Sequence, residues 1–286
     1  GQVLDGTLAV VEALAGCLRT HGVTRIEALE IAENLDATGR VVHVEQARGE
    51  TLPAAVLSAF AGCAGVTGVS CAEAWSPRLT AVSGVPWVED ALGAFTGLAA
   101  PSTGSGETPA RLRRHARSFF QANRFLTPTL VQRVLARIEG GPVVDLYAGV
   151  GLFAVSALAA GHDGVVAVEG DPVSAADLEA NASSFGSRAR VVHEAVESFL
   201  GRMGRQPDAT LIVDPPRTGM SREAMDGVLA SGARRIVYVS CDVATVARDA
   251  RRLVDAGYQM AEVEAFDLFP NTGHVEVLTS FDDPRT

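Results

Sequence analysis

Cys241 closes the apolar run Ile236-Val237-Tyr238-Val239-Ser240, and 35 residues later His274-Val275-Glu276 opens the last strand-like stretch of the chain. A thiolate adds readily to an electrophilic carbon, and a carboxylate can take up a proton from carbon. Brought together, the two suit addition to C6 of a pyrimidine followed by removal of the proton on C5. C5 of uracil is a poor nucleophile until something adds at C6 and makes an enolate, so the two roles form one sequence of steps. Val213-Asp214-Pro215-Pro216-Arg217 ends another apolar run, and its two prolines fix an extended rim on which Asp214 is able to hydrogen-bond a planar base. Asp-Pro-Pro also serves amino-group methylation when an aromatic residue follows, but here Arg217 follows. The plainer alternatives are a buried cysteine, a paired strand carboxylate and an ordinary strand-ending turn.

A cofactor turn accompanies these residues. Asp145-Leu146-Tyr147-Ala148-Gly149-Val150-Gly151 ends a strand in a glycine turn that lets the backbone approach a ligand, and Glu169 ends the next strand 24 residues after Asp145. An acid there can accept hydrogen bonds from both hydroxyls of a ribose. A dinucleotide fingerprint favours a third glycine where this chain has Ala154. S-adenosyl-L-methionine has no pyrophosphate to cradle and needs only the shorter turn, so it is the better fit, with a dinucleotide as the alternative.

The elements that position these groups read as α/β. From Pro142 onward, short apolar runs (Val143–Tyr147, Val165–Val168, Ala189–Val192, Thr210–Val213, Ile236–Val239) alternate with helix-compatible segments, the pattern of βαβ units in a parallel sheet buried on both faces. The pair around Met260–Phe266 and Val275–Phe281 has no helix between its members and is expected to form a C-terminal antiparallel hairpin. Gly149, Glu169, Asp214 and Cys241 then share the rim at the strand ends, and an antiparallel last strand returns Glu276 to it. A smaller α/β domain is expected to precede this Rossmann-like sheet, with residues 1–105 forming the first domain and 106–286 the second. In the first, Leu8, Val11, Leu14 and Leu18 mark one helical face, Arg25–Ile31 and Arg40–Val44 alternate like strands, and a second helix is expected at Pro53–Phe60. Ala99–Ala110, rich in Gly, Ser, Thr and Pro, reads as a linker.

Composition bounds the reading. A chain of 286 residues with 47% hydrophobic content is long enough for well-buried cores. Its apolar stretches fall short of the roughly 20 residues a membrane-spanning helix needs, and Asp5 and Glu12 stand where a basic leader would lie, so a cytoplasmic location is expected. Cys17, Cys63, Cys71 and Cys241 lack CxxC spacing, which indicates neither zinc nor an iron–sulfur cluster, and the first three read as small buried apolar residues. A net charge of −10 argues mildly against nucleic acid as partner, but every basic residue is arginine, and Arg111, Arg113, Arg114, Arg117 and Arg124 crowd one stretch with His115. That stretch is either a solvated charged face or a phosphate-contacting strip.

Taken together, Phe119-Phe120-Gln121-Ala122-Asn123, Asp145–Gly151, Asp214-Pro215-Pro216-Arg217, Tyr238-Val239-Ser240-Cys241, Asp267-Leu268-Phe269-Pro270 and His274-Val275-Glu276 resemble, in order, the motifs of the uracil-5 RNA methyltransferases, which make 5-methyluridine in tRNA and rRNA. The resemblance runs from Ser118 to about Thr279. It implies Cys241 as nucleophile, Glu276 as proton acceptor, and contacts to S-adenosyl-L-methionine from Gln121, Tyr147, Glu169 and Asp214. It also implies an unpaired or flipped uridine in tRNA or rRNA as target, with Phe119-Phe120 and Phe266–Phe269 as possible shields for the extruded base or as core aromatics. Asp242 stands where the family often has Asn, which places an extra negative charge beside Cys241. Many members carry a β-rich RNA-binding domain that this sequence lacks, so RNA capture is expected from the first hundred residues, from the arginine strip, or from chain beyond this sequence. The competing readings are methylation of another base atom and an RNA-binding module without turnover.

Overall fold

The structure, a computed structural model, describes residues 3–74, 76, 78–98 and 110–284. The boundary expected at 105/106 and the linker expected at Ala99–Ala110, apart from Ala110 itself, lie outside these residues. The chain forms two compact units, Gly1–Asp90 with Arg113–Phe120, and Ala91–Leu112 with Gln121–Thr286.

The first unit begins with α1 (Asp5–Thr20), β1 (Ala28–Glu33), β2 (Arg40–Gln46), α2 (Ala54–Ala61), β3 (Gly68–Glu73), β4 (Thr80–Gly84) and β5 (Trp87–Ala91). Strands β1 to β4 form one sheet in sequence order; β2 and β3 run parallel with α2 between them in sequence, and the outer pairs are antiparallel. Its core gathers Val10, Leu14, Val42, Val44, Val56, Phe60 and Val69. The helix face differs from the one expected: Val10 and Leu14 are buried, whereas Leu8 and Val11 are 49% and 44% exposed. Val11, Leu14 and Leu18 line an open apolar groove with Leu29 and Ile31 of β1, so the packed face is rotated towards Val10 and leaves Leu8 outside it. The first strand likewise starts at Ala28 rather than Arg25.

After α3 (Leu92–Thr96) comes β6 (Arg111–His115), which pairs with β5 in a two-stranded sheet. It carries much of the expected arginine strip, and the structure corrects that reading. Arg114, 4% exposed, forms an ion pair with Asp90, donates to the Glu33 carbonyl and stacks over Phe120, its guanidinium carbon 4.1 Å from the ring centroid. Arg117 pairs with Glu45 at 3.4 Å and donates to the Ser76 carbonyl. These two guanidinium groups are committed within the unit, so the strip is not a continuous phosphate-facing surface. His115 joins a buried chain: its Nε2 lies 3.0 Å from Ser70 Oγ, which lies 2.9 Å from His43 Nδ1, and burial pushes both imidazoles down to about 4.

The second unit continues with α4 (Thr127–Leu135), β7 (Val143–Leu146), α5 (Leu152–Ala159), β8 (Val165–Glu169), α6 (Pro172–Ala182), β9 (Ala189–His193), α7 (Val196–Leu200), β10 (Thr210–Val213), α8 (Arg222–Ser231), β11 (Arg235–Ser240), α9 (Val243–Asp255), β12 (Gln259–Phe266) and β13 (Glu276–Asp282). The seven strands lie in the order β12-β13-β11-β10-β7-β8-β9. This is the α/β fold expected from the sequence, a mostly parallel sheet with an antiparallel final pair, and the final strand does more than close a hairpin. Strand β13 inserts between β12 and β11, antiparallel to both. Strands β7, β10 and most of β11 are buried throughout, which is why they read as continuous apolar runs. Side chains such as Leu146, Leu211 and Tyr238 meet Phe199, Met225, Val228 and Leu253 from the helices, and each fully buried large apolar group contributes about 1.5–3 kcal/mol. The chain order reverses between β7 and β10, and in open sheets the crevice outside the strand ends at such a point is where ligands bind.

Candidate active site

The turn after β7 has three left-handed residues, Tyr147 (φ 62°), Gly149 (φ 56°) and Gly151 (φ 94°). A side chain at Gly151 has no space: a Cβ there would lie 2.6 Å from Val155 Cγ2 and 2.7 Å from Leu178 Cδ1. The Gly149 amide donates to Glu169 Oε2 at 2.7 Å and the Asp171 amide to Oε1 at 2.6 Å, so the acid ending β8 is bonded to the turn ending β7. Beneath them Asp145 is fully buried. Its Oδ2 accepts from the Ala154 amide at 2.8 Å, and its Oδ1 has no partner among the described residues. Burial pushes the Asp145 carboxyl well above the usual range; the Ala154 amide opposes this, and the charges of Asp214 and Glu169 add to it. Burial thus favours the protonated form of Asp145. The position lacking a third glycine, Ala154, supplies this amide.

Cys241, Glu276, Asp214 and Gln121 meet at the neighbouring strand ends. In the β11–β13 ladder Arg235 stands opposite Asp282 and Ser240 opposite Val277, so one step further Cys241 faces Glu276. Gln121 Nε2 donates to Asp214 Oδ2 at 3.3 Å. Burial raises Asp214 to about 7 against the Gln121 hydrogen bond. Glu276, 1% exposed, rises to about 8 through burial and then through the charge of Asp214. The half-buried Cys241 thiol is raised by burial first and then by Glu276; a hydrogen bond from the Arg217 guanidinium opposes this, and Asp214 adds a smaller upward push. Asp242 is not among the charges acting on the sulfur. It caps α9, its carboxylate accepting the Thr245 amide at 2.8 Å, and that bond lowers its own pKa.

The eight residues singled out in the sequence thus fall into two adjoining groups: Gly149, Gly151 and Glu169 around the turn, and Gln121, Asp214, Cys241 and Glu276 around the sulfur. Tyr147 divides between places. Its backbone belongs to the turn, while its side chain lines a separate cavity of about 410 Å³ with Glu197, Pro216, Met220, Ser221 and Arg248. Three further residues went without a role in the sequence reading. Arg217 appeared only as a departure from an aromatic position, and the sole signal was a cation directly after Asp214-Pro215-Pro216. Asp145 was legible as a strand carboxylate in an otherwise apolar run. Asn123, 4% exposed, donates to the Asp267 and Leu268 carbonyls at 3.3 and 3.4 Å and accepts from the Phe125 and Leu126 amides, fixing the turn that carries Gln121. Of the expected base shields, Phe120 lies under Arg114, Phe266 is buried and Phe269 meets His274 edge-on at 6.3 Å, whereas Phe119 is 70% exposed. No helix among the described residues is long and apolar enough to cross a membrane.

The fold is that of the S-adenosylmethionine-dependent methyltransferases. The chain superposes on the crystal structure of Pyrococcus abyssi tRNA (uracil-54, C5)-methyltransferase, solved in complex with S-adenosyl-L-homocysteine, with a TM-score of 0.69 at 21% identity, covering 96% of this chain and 66% of that one. M. jannaschii tRNA m1G37 methyltransferase gives 0.53 at 12% identity, covering 96% and 78%. In sequence, residues 202–280, which hold Asp214, Cys241 and Glu276, match the family described as tRNA (uracil-5-)-methyltransferase, so the resemblance read from the motifs is borne out. A Streptomyces avermitilis protein named uncharacterized RNA methyltransferase is 38% identical over 164 residues, 55% of this chain and 37% of that protein. The 23S rRNA (uracil(1939)-C(5))-methyltransferase RlmD of Yersinia enterocolitica is 34% identical over 180 residues, 60% and 40% of the two chains. The chain thus spans about two-fifths of the length of the curated relatives it matches.

Proposed function

We propose that this chain methylates C5 of a uridine in RNA, with S-adenosyl-L-methionine as donor, through a covalent bond between Cys241 and C6. The observation that carries this reading is the juxtaposition of Cys241 and Glu276 across β11 and β13, with Asp214 and Gln121 beside them. The residues present fit the donor. Glu169 retains lone pairs for ribose hydroxyls, Gly149 gives close backbone approach, and the acids Asp214 and Glu276 suit a group of positive charge. When bound, the donor supplies an electrophilic methyl group.

The chain's own residues account for the remaining steps. Gln121 and Asp214 hold the base edge and the donor in register. Cys241 acts as thiolate, stabilised by Arg217, and its sulfur forms a bond to C6 while the C5–C6 π electrons move toward O4. C5 then takes the methyl group. Glu276, as carboxylate, removes the C5 proton, the electron pair re-forms C5=C6, and the C6–S bond breaks to return the thiolate. At rest both groups favour their protonated forms, and positive charge arriving beside Asp214 and Glu276 shifts the acids toward carboxylate. The target uridine must leave any stack to reach Cys241, at a cost of a few kcal/mol that is least for a loop.

RNA containing 5-fluorouridine tests the reading, since fluorine cannot leave as a proton does. With donor present, the wild-type chain is expected to form a stable protein–RNA adduct and Cys241→Ala none; equal adduct from both sinks the mechanism. Because the chain matches only part of its relatives, transcripts of tRNA and rRNA are both to be offered.

A further inference from the structure

The loop from Asp214 to Met220 carries two groups of the site, and α9 fastens it to the strand that carries the third. Asp249 on α9 is 1% exposed, and its Oδ2 accepts from the Tyr238 hydroxyl at 2.7 Å and from the Met220 amide at 3.0 Å. Tyr238 lies on β11 three residues before Cys241, and Met220 ends the loop. One carboxylate oxygen therefore ties strand to loop. Arg248 adds a second fastening: its Nε donates to Asp249 Oδ1 at 2.8 Å, and its Nη2 donates to the Thr218 carbonyl at 3.1 Å and the Met220 carbonyl at 3.3 Å. The loop admits the guanidinium only because residue 219 is glycine. Gly219 has φ 74°, and a Cβ there would lie 2.4 Å from Arg248 Nη2 and 2.9 Å from Asp249 Oδ2.

Burying a carboxylate is costly unless it is paired and fully hydrogen-bonded, and a well-packed apolar pair would serve stability as well. What the pair supplies that an apolar contact does not is a fixed backbone at residues 218–220, directly after Arg217. We propose that Arg248 is a positioning residue: by holding the Thr218 and Met220 carbonyls it sets the loop so that the Arg217 guanidinium stays on the sulfur of Cys241. This rests on Cys241 being the nucleophile. The charged groups facing the thiol are Glu276 from β13 and Asp214 and Arg217 from the loop, and Arg217 alone among them favours thiolate. Arg248 reaches the sulfur only through Arg217.

The test reads the thiol directly, without RNA or donor. The rate of alkylation of Cys241 by iodoacetamide is followed from pH 6.5 to 10 in the full chain, by mass spectrometry of the peptide that contains it. Arg217→Ala and Arg248→Ala are each expected to slow alkylation at pH 8 by about fivefold and to move the midpoint upward, the scale of one charge-assisted hydrogen bond at a partly exposed guanidinium. The double variant is expected to match Arg217→Ala alone, Arg248→Lys to fall between wild type and Arg248→Ala, and Arg252→Ala, whose partner is Asp226 on the surface, to match wild type. A structural role alone lowers the melting temperature and leaves the alkylation profile in place. A wild-type profile for Arg248→Ala, an additive shift in the double variant, or no shift in Arg217→Ala overturns the proposal. If Arg248→Ala does not fold, an unshifted Arg248→Lys overturns it instead. Methyl transfer to RNA is measured separately: its absence in wild type, with the alkylation shifts intact, counts against the uridine reading and leaves the positioning role standing.

Discussion

Asp145→Asn tests whether the acid beneath the cofactor turn is neutral. The carboxyl is fully buried, and its pKa in the folded protein lies well above the unfolded value of 3.8. Above pH 3.8 the unfolded chain releases this proton while the folded chain keeps it, so the folded state binds more protons and stability falls as pH rises, until the folded pKa is reached. One proton retained corresponds to about 1.4 kcal/mol per pH unit. Asparagine can still accept from the Ala154 amide and has no proton to lose. The extra stability of the variant relative to wild type is therefore expected to grow with pH across pH 4.5 to 6, by up to about 1.4 kcal/mol per pH unit for as long as the folded carboxyl keeps its proton, whatever fixed offset the amide introduces. Urea denaturation at four or five pH values across that window measures it, and shifts at other acids cancel in the difference. Parallel stability curves for the two proteins would show an ionised Asp145 and refute the argument.

Gly151→Ala is expected to lose about 2–5 kcal/mol of stability, from the left-handed backbone together with the collision against Val155 and Leu178; a loss under about 1 kcal/mol in the same denaturation assay contradicts the close packing described here. Multiple turnover is expected to rise with pH from 6 to 9, because Glu276, raised to about 8, must be a carboxylate to take the C5 proton and the raised Cys241 thiol must ionise, and Glu276→Gln is expected to methylate ordinary RNA once and stall as the covalent adduct. A flat profile from pH 6 to 9, or normal turnover by the variant, removes Glu276 from that role.

Much of this site could be read before any coordinates, because the residues involved end strands that announce themselves as apolar runs. Gly149, Glu169, Asp214 and Cys241 each follow such a run, and a parallel sheet brings its strand ends to one rim. The absence of a helix between the last two strands points to an antiparallel pair, and the β11–β13 register then sets Glu276 opposite Cys241. Positions decided by a side chain's direction were not legible. Tyr147 has φ 62° and lines a cavity with Glu197 and Arg248, and nothing in the neighbouring residue types marks that angle. Whether Arg217 turns back to Cys241 depends on α9, which lies beyond it in sequence. The arginine cluster was ambiguous for a similar reason: Asp90 and Glu45, the partners of Arg114 and Arg117, are 24 and 72 residues away. In α1, Leu8 and Val10 compete for the buried face, and only the sheet's placement decides between them.

The insertion of β13 between β11 and β12 also orders events in time. During synthesis, at about 5–20 residues per second, β12 emerges while the position between it and β11 is still empty, and it has no partner there until residues 276–282 follow. A nascent chain can therefore fold the parallel part of its sheet, glycine turn included, with the thiol of Cys241 already in place and no base beside it. Assembly of the reactive pair and closure of that sheet edge become a single event, so the means to release a pyrimidine from the sulfur arrives only with residues 276–282.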